Sequence, residues 1–381
     1  MLGSRRLVVD ALSEIASMIQ PFVDESFYEF NRVDPVAGSI YVIGRQQFID
    51  NPVKVREMCT SDDYLMIFNN SAEGSWTMET HLLQLKIDQL VRDGKLLLIA
   101  GALPTHDHHC LIHEHLLIKI MDFQQTQEAQ TWTETIFAQQ QKPYKFLFLN
   151  GRARPHRKYL YERMRRRGLL DISLYTMLDA RPCVVRRFAL RENGIDIMAT
   201  ATPLQRLPDE YEVERYRNPE FGPILPDRTN LKQELFRREW GEIYLYYRPY
   251  IDTYFSLVTE TVCSESDISF RTEKIAKPLA MGHPFVVAAN RGFYRDLRDL
   301  GFKTYGSVID ESFDLIDDAQ SRMDRLIEVV DDLCKQDLGS FLDACRSICK
   351  YNQQHLAQFT QEHRQAFPGR FFQFVSEHAR S

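Results

Sequence analysis

A repeated alternation of short apolar runs with helical patterns in the first half of the chain constrains the fold most. SIYVIG (39–44), YLMIFN (64–69) and KLLLIAG (95–101) have the length and composition of buried strands. The stretches 51–59 and 77–93 between them have a helical pattern. Buried strands that alternate with helices form parallel sheets with right-handed crossovers. We therefore predict an α/β domain in the first half.

A second α/β pattern begins after the polar, helix-like stretch 128–143. KFLFLN (145–150) is predicted to be a strand and GRAR (151–154) a turn. A helix is expected over 155–168, because a proline opens this stretch and a glycine closes it. A fresh α/β pattern therefore starts near residue 145.

The rest of the chain continues the same pattern after one long interruption. Residues 200–235 are rich in Pro, Asn, Asp and Arg without a clear period, which predicts a long loop or insertion. The remaining regular patterns predict strands at 171–176, 242–247, 254–260 and 284–290, and helices at 313–337 and 339–366.

The length of 381 residues exceeds what one hydrophobic core usually supports, which is roughly 250–300 residues. We therefore predict an α/β fold with two Rossmann-like domains and C-terminal helices. The predicted boundaries are 1–140, 141–335 and 336–381. Ligands of such sheets bind at the carboxyl ends of the strands, so residues that follow strands are the first candidates for function.

The net charge of the chain and the spacing of its cysteines indicate which classes of protein it resembles. The net charge of -6 argues against a protein that coats nucleic acid or an anionic membrane. The seven cysteines are scattered without a CxxC pair, which is typical of reduced thiols in a cytoplasmic protein. The first residues lack the pattern of a signal peptide, and no apolar run approaches the ~18 residues of a membrane span.

The most informative segment is FRTEKIAKPLAMGHPFVVAANRGF, residues 270–293. Thr272 precedes a predicted helix that stops at Gly282, and an apolar strand follows. The N–H groups and the positive dipole end of such a helix suit a phosphate. Lys274 adds a full positive charge, and Glu273 can accept hydrogen bonds from sugar hydroxyls. The alternative is a capped surface helix with a solvated lysine.

TEKIAKPLAMGHPFVV resembles the donor-binding motif of α1,3-fucosyltransferase-like glycosyltransferases with the GT-B fold. KFLFLNGRARPHRKYL resembles the first strand–turn–helix of that family's donor domain, and similar segments occur in glycosyltransferase-like proteins of bacteria and large phages. The resemblance covers roughly 145–177 and 254–306. It implies an N-terminal acceptor domain, a C-terminal nucleotide-sugar domain and a nucleotide-diphosphate sugar as donor substrate, with no bound cofactor and no metal.

The resemblance also implies roles for individual residues. Lys274 would contact the diphosphate, and Glu273 the donor sugar or the ribose, at the helix that Thr272 opens. Arg157, or else Arg154, would be the second phosphate cation. The arginines from 163 to 167 have the alternative interpretation of a solvated helix face.

Two further acids lie upstream of Thr-Glu-Lys. Glu265 and Glu273 have the spacing E-x7-E, which resembles a pattern of retaining GT-B enzymes. Glu260 ends a strand and corresponds better to the acid of the fucosyltransferase-like pattern. The sequence leaves both the inverting and the retaining outcome open.

An inverting transfer needs a base for the acceptor hydroxyl. Glu73 is the carboxylate of FNNSAEGSWT (68–77), which follows a predicted strand; the alternative there is an ordinary turn. Asp107 belongs to PTHDHHCLIHEH (104–115), which follows another strand and holds five histidines. An acceptor-lining loop is favoured over a metal site in the His106–His115 cluster, and the histidines near its end are expected to alternate on a strand with one exposed face.

Two other functions remain open. One is sugar transfer to a modified DNA base, with the basic helix along the phosphate backbone; the acidic balance and the lack of interleaved aromatic residues disfavour it. The other is a catalytically inactive Rossmann-like nucleotide-binding or structural protein, since fold does not imply activity. An oxidoreductase is not favoured, because no G-x-G-x-x-G follows a strand.

Overall fold

The structure is a computed structural model that describes residues 7–9, 14–19, 36–44, 50–71, 88–101, 109–122, 126–152, 154–179, 204–206, 247–263 and 269–378. The chain forms two compact units. The first consists of Met1–Ile118 together with Phe359–Ser381, and the second of Lys119–Gln358. Both are built from parallel strands and helices, so the fold class is α/β.

The first unit contains one sheet of five parallel strands in the order β1-β2-β3-β4-β5. Its elements are β1 (Leu7–Val9), α1 (Glu14–Ile19), β2 (Ser39–Gly44), α2 (Pro52–Thr60), β3 (Tyr64–Asn70), α3 (Asp88–Arg92), β4 (Leu96–Ala100), β5 (Cys110–Ile112) and the start of α4 (His115–Asp122).

Both faces of this sheet are buried, which explains why its strands are continuously apolar rather than alternating. One face packs against side chains of α2 and α3, among them Val55 and Val91. The other face packs against α1 and against Phe367, Phe371 and Val375 near the end of the chain. The C-terminal helix therefore supplies part of the core of the first unit.

The second unit contains a sheet in the order β10-β9-β6-β7-β8, in which only β8 is antiparallel to its neighbour. Its elements are α5 (Thr126–Ala138), β6 (Tyr144–Arg152), α6 (Pro155–Arg166), β7 (Ser173–Asp179), β8 (Leu204–Arg206), α7 (Arg248–Ile251), β9 (Thr253–Thr259), α8 (Glu273–Met281), β10 (Phe285–Ala288), α9 (Phe293–Asp299), α10 (Ala319–Lys335) and α11 (Leu338–His378), whose last part belongs to the first unit.

Local signals in the sequence set the ends of the two helices that flank the candidate site. The helix α6 begins with Pro155, whose missing N–H costs nothing in the first turn, and Gly168 follows it in a left-handed conformation. The helix α8 is capped by the Thr272 hydroxyl, which accepts from the N–H of Lys274, and it ends at Gly282 with a φ of 61°.

The predicted strands that fall on described residues lie within a few residues of the observed ones, but the division of the chain differs from the predicted boundary at 140. The helix α5 belongs to the second unit, where the Thr133 hydroxyl donates to the carbonyl of Met281. The end of α11 belongs to the first unit, because its phenylalanines are buried there. The helix α11, which covers most of the predicted third part at 336–381, is therefore divided between the two units.

Four other predictions differ from the structure or meet the described residues only in part. The strand β6 continues through Arg152, where a turn was expected from residue 151. Of the predicted loop 200–235 only β8 is described, and residues 77–87 and 242–246 lie outside the described residues.

None of the helices in the described ranges combines the length and apolar character needed to cross a bilayer.

Candidate functional site

The strand order of the second sheet reverses between β6 and β9. In doubly wound sheets such a point opens a crevice at the carboxyl ends of the strands, where ligands bind. Asn150 links the carboxyl ends of these two strands, because its side-chain oxygen accepts from the Thr259 hydroxyl at 2.6 Å. Its backbone N–H donates to the hydroxyl of Thr176 on the other neighbouring strand, at 3.0 Å. The carboxyl edge is thus held together by polar side chains.

Glu260 directly follows β9 and is fully buried. Its carboxylate accepts from the hydroxyl of Thr272 at 2.5 Å and from the N–H of Thr272 at 3.1 Å. It also accepts from the N–H groups of Ile275 at 3.3 Å and Thr261 at 3.1 Å. One buried carboxylate therefore ties the end of β9 to the N-terminus of α8.

Burial and nearby positive charge shift the pKa values of the acids of this site in opposite directions. Burial raises the pKa of Glu260 above its ordinary value, although the charge of Lys274 and the hydrogen bond from Thr272 oppose it. Burial also disfavours ionisation of Glu273, but the charges of Lys274 and Lys277 outweigh it, so the pKa of Glu273 is lowered. Glu273 is therefore held as a carboxylate beside a lysine.

Lys274 lies at the rim of the site, with its side chain 22% exposed. Its ammonium group donates to the hydroxyls of Thr261 and Thr272, both at 3.3 Å, and it pairs with the carboxylate of Glu273. An ammonium group has three donors and rotates freely about its stem, so it can exchange one of these partners for a ligand oxygen.

His156 and Arg157, in the first turn of α6, reach the end of β9 from the other side of the gap. The guanidinium of Arg157 is buried and donates to the carbonyls of Thr259 at 3.1 Å and Glu260 at 3.3 Å. The Nε2 atom of His156 lies 3.0 Å from the Glu260 carbonyl. Because a carbonyl oxygen only accepts, Nε2 carries the proton and Nδ1 is a bare acceptor.

The surroundings of His156 are strongly positive. Burial and then the charges of Arg157 and Arg154 hold the pKa of His156 well below its ordinary range, and Lys274 adds to this effect. His156 is therefore neutral. Its Nδ1 atom and the side-chain N–H₂ of Asn150 are buried polar groups without a hydrogen-bond partner in the described part of the chain. Such groups are rare in native interiors and often mark function.

Six of the residues selected from the sequence come together in this cluster, which we name the switch-point cluster: Arg154, Arg157, Glu260, Thr272, Glu273 and Lys274. The candidate residues Glu73, Asp107 and Glu265 lie outside the described residues. The sequence analysis missed Asn150 and His156. The position of Asn150 near the carboxyl end of a strand was a usable signal, whereas the burial of His156 depends on tertiary packing.

One sequence expectation about this cluster needs correction. The N-terminus of α8 was expected to offer free N–H groups to a phosphate. Instead the N–H groups of Thr272 and Ile275 donate to Glu260, and that of Lys274 donates to the Thr272 hydroxyl. These donors are used because the chain brings its own carboxylate to the helix end.

The arginine run at the end of α6 has mainly structural contacts. Arg163 pairs with Asp324 at 2.9 Å, and Arg167 lies 3.8 Å from Asp331, both acids of α10. Arg165 pairs with Glu162 on its own helix. These pairs favour the interpretation of the run as a helix face that is paired with neighbouring acids.

The histidines at the end of the His106–His115 segment are arranged differently from the sequence expectation. The strand β5 ends at Ile112, and His113 and His115 are both buried, so they do not alternate on a half-exposed strand. The Nδ1 atom of His113 lies 3.3 Å from Nε2 of His363 on α11. Within the described ranges, no group of three or more His, Cys, Asp or Glu side chains could hold a metal ion. Asp107 and His106 lie outside those ranges.

The His113–His363 contact predicts an acid-sensitive first unit. Burial lowers the pKa of His363 from 6.5 to about 4, with Glu114 opposing and Arg370 assisting. Because the folded state resists a proton that the unfolded state binds, the contribution of His363 to stability should be constant above pH 6.5. It should then fall by roughly 3 kcal/mol as the pH drops to about 4. Urea unfolding of wild type and His363→Gln across this range tests it. An unchanged pH dependence in His363→Gln would contradict the prediction.

A groove of about 630 Å³ lies at the opposite edge of the second sheet, near the amino ends of β6 and β9. Two of its charged groups serve the local structure: Lys142 donates to the carbonyl of Ile251, and Asp337 caps the start of α11. The strand-order rule and the buried polar atoms both point to the carboxyl edge instead.

Comparisons with models of protein families, with curated proteins and with solved structures found no match to this chain. The fold and the switch-point cluster define an α/β protein with two sheets of mainly parallel strands and a basic site at one sheet edge.

Proposed function

We propose that this protein is a glycosyltransferase of the GT-B type, which transfers a sugar from a nucleotide-diphosphate donor to an acceptor hydroxyl. The observation that carries the proposal is the set of cations at the switch point of the second sheet, where Arg154, Arg157 and Lys274 surround the starts of α6 and α8. The order β10-β9-β6-β7 and the N-terminus of α6 at this edge support a nucleotide site.

The chemistry follows from where charge develops. When the bond between the sugar and the diphosphate breaks, negative charge grows on the leaving phosphate oxygen. Lys274 and Arg154 stabilise that charge in the transition state. Glu273 is held as a carboxylate and retains lone pairs for hydroxyls of the sugar or the ribose.

The acceptor reacts through a hydroxyl of a glycan or of another hydroxyl-bearing molecule. Its oxygen attacks the anomeric carbon, and in an inverting reaction its proton passes to a base from the first half of the chain. Glu73 and Asp107 remain the proposed bases. No metal or bound cofactor is needed in this proposal, since the cations of the chain balance the leaving group. The reduced thiols are consistent with the proposed cytoplasmic location.

A thermal-shift panel of nucleotides and nucleotide sugars tests the proposal. At a hundredfold excess over its Kd, the donor is expected to stabilise the wild type by ~2.7 kcal/mol. Lys274→Ala should lose most of this shift, because it removes the cation at the rim of the site. Lys335→Ala is the control, since Lys335 forms surface ion pairs with Asp331 and Asp332.

The outcomes separate the transferase from its alternatives. Stabilisation by one nucleotide-diphosphate sugar, with turnover when acceptors are added, supports the transferase. Binding without transfer or hydrolysis favours a catalytically inactive nucleotide-binding protein. If no nucleotide stabilises the wild type at millimolar concentration, the proposal fails.

A further inference from the structure

The groove at the amino edge of the second sheet contains a lysine that the proposed sugar transfer does not use. Lys142 lies two residues before the start of β6 and lines the groove together with Lys145 and Tyr254. The groove volume of about 630 Å³ is within the range of small-molecule sites in proteins. The side chain of Lys142 is half-buried, so it is accessible from the groove only in part.

The amine of Lys142 has contacts that suit a neutral as well as a charged nitrogen. Its Nζ atom donates to the carbonyl of Ile251, at the end of α7, and lies 5.9 Å from the centre of the Tyr254 ring. A carbonyl oxygen and an aromatic face both accept, and neither gives a proton to the amine. Within the described ranges, no carboxylate forms an ion pair with Lys142. A neutral amine therefore keeps an N–H for Ile251 and retains its lone pair.

The surroundings of Lys142 favour this neutral form. Burial lowers the pKa of Lys142 from 10.5 to about 8, and the charge of Asp252 opposes this effect. The neighbouring His283 is uncharged near pH 7, because burial above all lowers its pKa to about 3. At pH 7.5 roughly a quarter of Lys142 is then neutral, against roughly 0.1% of an ordinary lysine. A desolvated neutral lysine is a nucleophile for carbonyl carbon.

The other charges of the groove indicate which electrophile can enter. Asp171, Asp337 and Asp343 line it together with Lys142 and Lys145, so carboxylates outnumber ammonium groups. This balance repels phosphorylated and other anionic reagents and favours an uncharged carbonyl compound.

We propose that Lys142 is a covalent modification site, which is acylated by an uncharged acyl thioester from the groove. The neutral Nζ atom attacks the thioester carbonyl carbon, a C–N bond forms and the C–S bond breaks. The bonding pair leaves on sulfur, which takes up the proton that the amine loses, so the products are an amide and a thiol. The amide keeps one N–H for the Ile251 carbonyl, and the charge that disappears has no ion-pair partner among the described residues.

The probe is the S-acetyl thioester of N-acetylcysteamine, which carries no charge. Wild-type full chain is incubated with it from pH 6.5 to 9.5, and peptide mass spectrometry gives the acetylation rate of each lysine. Free Nα-acetyl-lysinamide is the reference amine. At pH 7.5 Lys142 should react about tenfold faster than the reference, because its larger neutral fraction outweighs the lower nucleophilicity of a weaker base. Its rate should level off above about pH 8, while the rate of the reference continues to rise.

Two variants and a second reagent complete the test. Lys142→Arg keeps a donor for the Ile251 carbonyl but has no acylable amine, so it should lose most of the acetyl label at pH 7.5. Lys145→Arg should retain the label; it is the matched control, because Lys145 lines the same groove and also donates to a backbone carbonyl, that of Cys334. The anionic donor acetyl phosphate should modify Lys142 more slowly, relative to the reference amine, than the thioester does.

Two results with the wild-type protein would overturn the proposal, whether or not any variant folds. One is acetylation of Lys142 no faster than that of the reference amine at pH 7.5. The other is a rate at Lys142 that rises through pH 9.5 as the rate of the reference does. A greater preference of Lys142 for acetyl phosphate than for the thioester would overturn the assignment of an uncharged donor.

Discussion

Replacing Phe371 with alanine is expected to lower the free energy of unfolding of the first unit by about 3–5 kcal/mol. Phe371 is fully buried and packs, with Phe367 and Val375, against the sheet face formed by residues such as Ile67 and Ile99. Removing the ring loses its transfer free energy and leaves a cavity that a parallel sheet cannot close. Denaturant unfolding followed by circular dichroism measures the change.

Gln373→Ala is the matched control, because Gln373 is an exposed residue on the same helix whose side-chain amide donates to Glu377. It should cost less than about 0.5 kcal/mol. Amide hydrogen exchange should show loss of protection in β2 to β4 for Phe371→Ala. A loss below about 1 kcal/mol would mean that the C-terminal helix is not part of the core of the first unit.

Glu260→Ala is expected to destabilise the second unit by about 3 kcal/mol. The change leaves the buried N–H groups of Thr261, Thr272 and Ile275 without their acceptor, at about 1–3 kcal/mol each. The cost of burying the carboxylate, visible in its raised pKa, is recovered and offsets part of this loss. Thermal and urea unfolding measure the net change.

The comparison for this prediction is Asp314→Ala. Asp314 is another buried carboxylate, which accepts from the N–H groups of Phe293 and Tyr294 at the start of α9. It serves two backbone donors where Glu260 serves three, so its removal should cost less. Equal or greater destabilisation by Asp314→Ala would show that the Glu260 network contributes less than its geometry implies.

The strands and the helix signals were accessible to the sequence analysis because they are local. SIYVIG and YLMIFN are continuous apolar runs, and both became buried parallel strands at the expected residues. The capped start of α8 at Thr272 and its end at Gly282 also follow from residues adjacent in the chain. The segment that the sequence marked as most informative does form one side of the candidate site.

The histidines illustrate the limit of local reasoning. An alternation of His113 and His115 with other residues cannot reveal that β5 ends at Ile112 or that His363 approaches from 250 residues away. The predicted boundary at 140 differs from the observed division of the chain, after Ile118, for the same reason. A polar helix between two α/β patterns is typical of a linker. Here, however, Thr133 of α5 donates to the carbonyl of Met281 and accepts from Gln353, so α5 belongs to the second unit.

The sequence by itself determined the α/β class, the positions of most strands and the residues of the Thr-Glu-Lys helix, because periodicity and capping act within a few residues. Only the tertiary structure decided that Glu260 fills the N-terminus of α8, that Asn150 bonds to Thr259 and that His156 bonds to the Glu260 carbonyl. These contacts join residues about 100 positions apart, except Glu260 to Thr272, and they exist because β6 and β9 are neighbours in the sheet. Strand order is set by how whole layers pack, which no local pattern encodes.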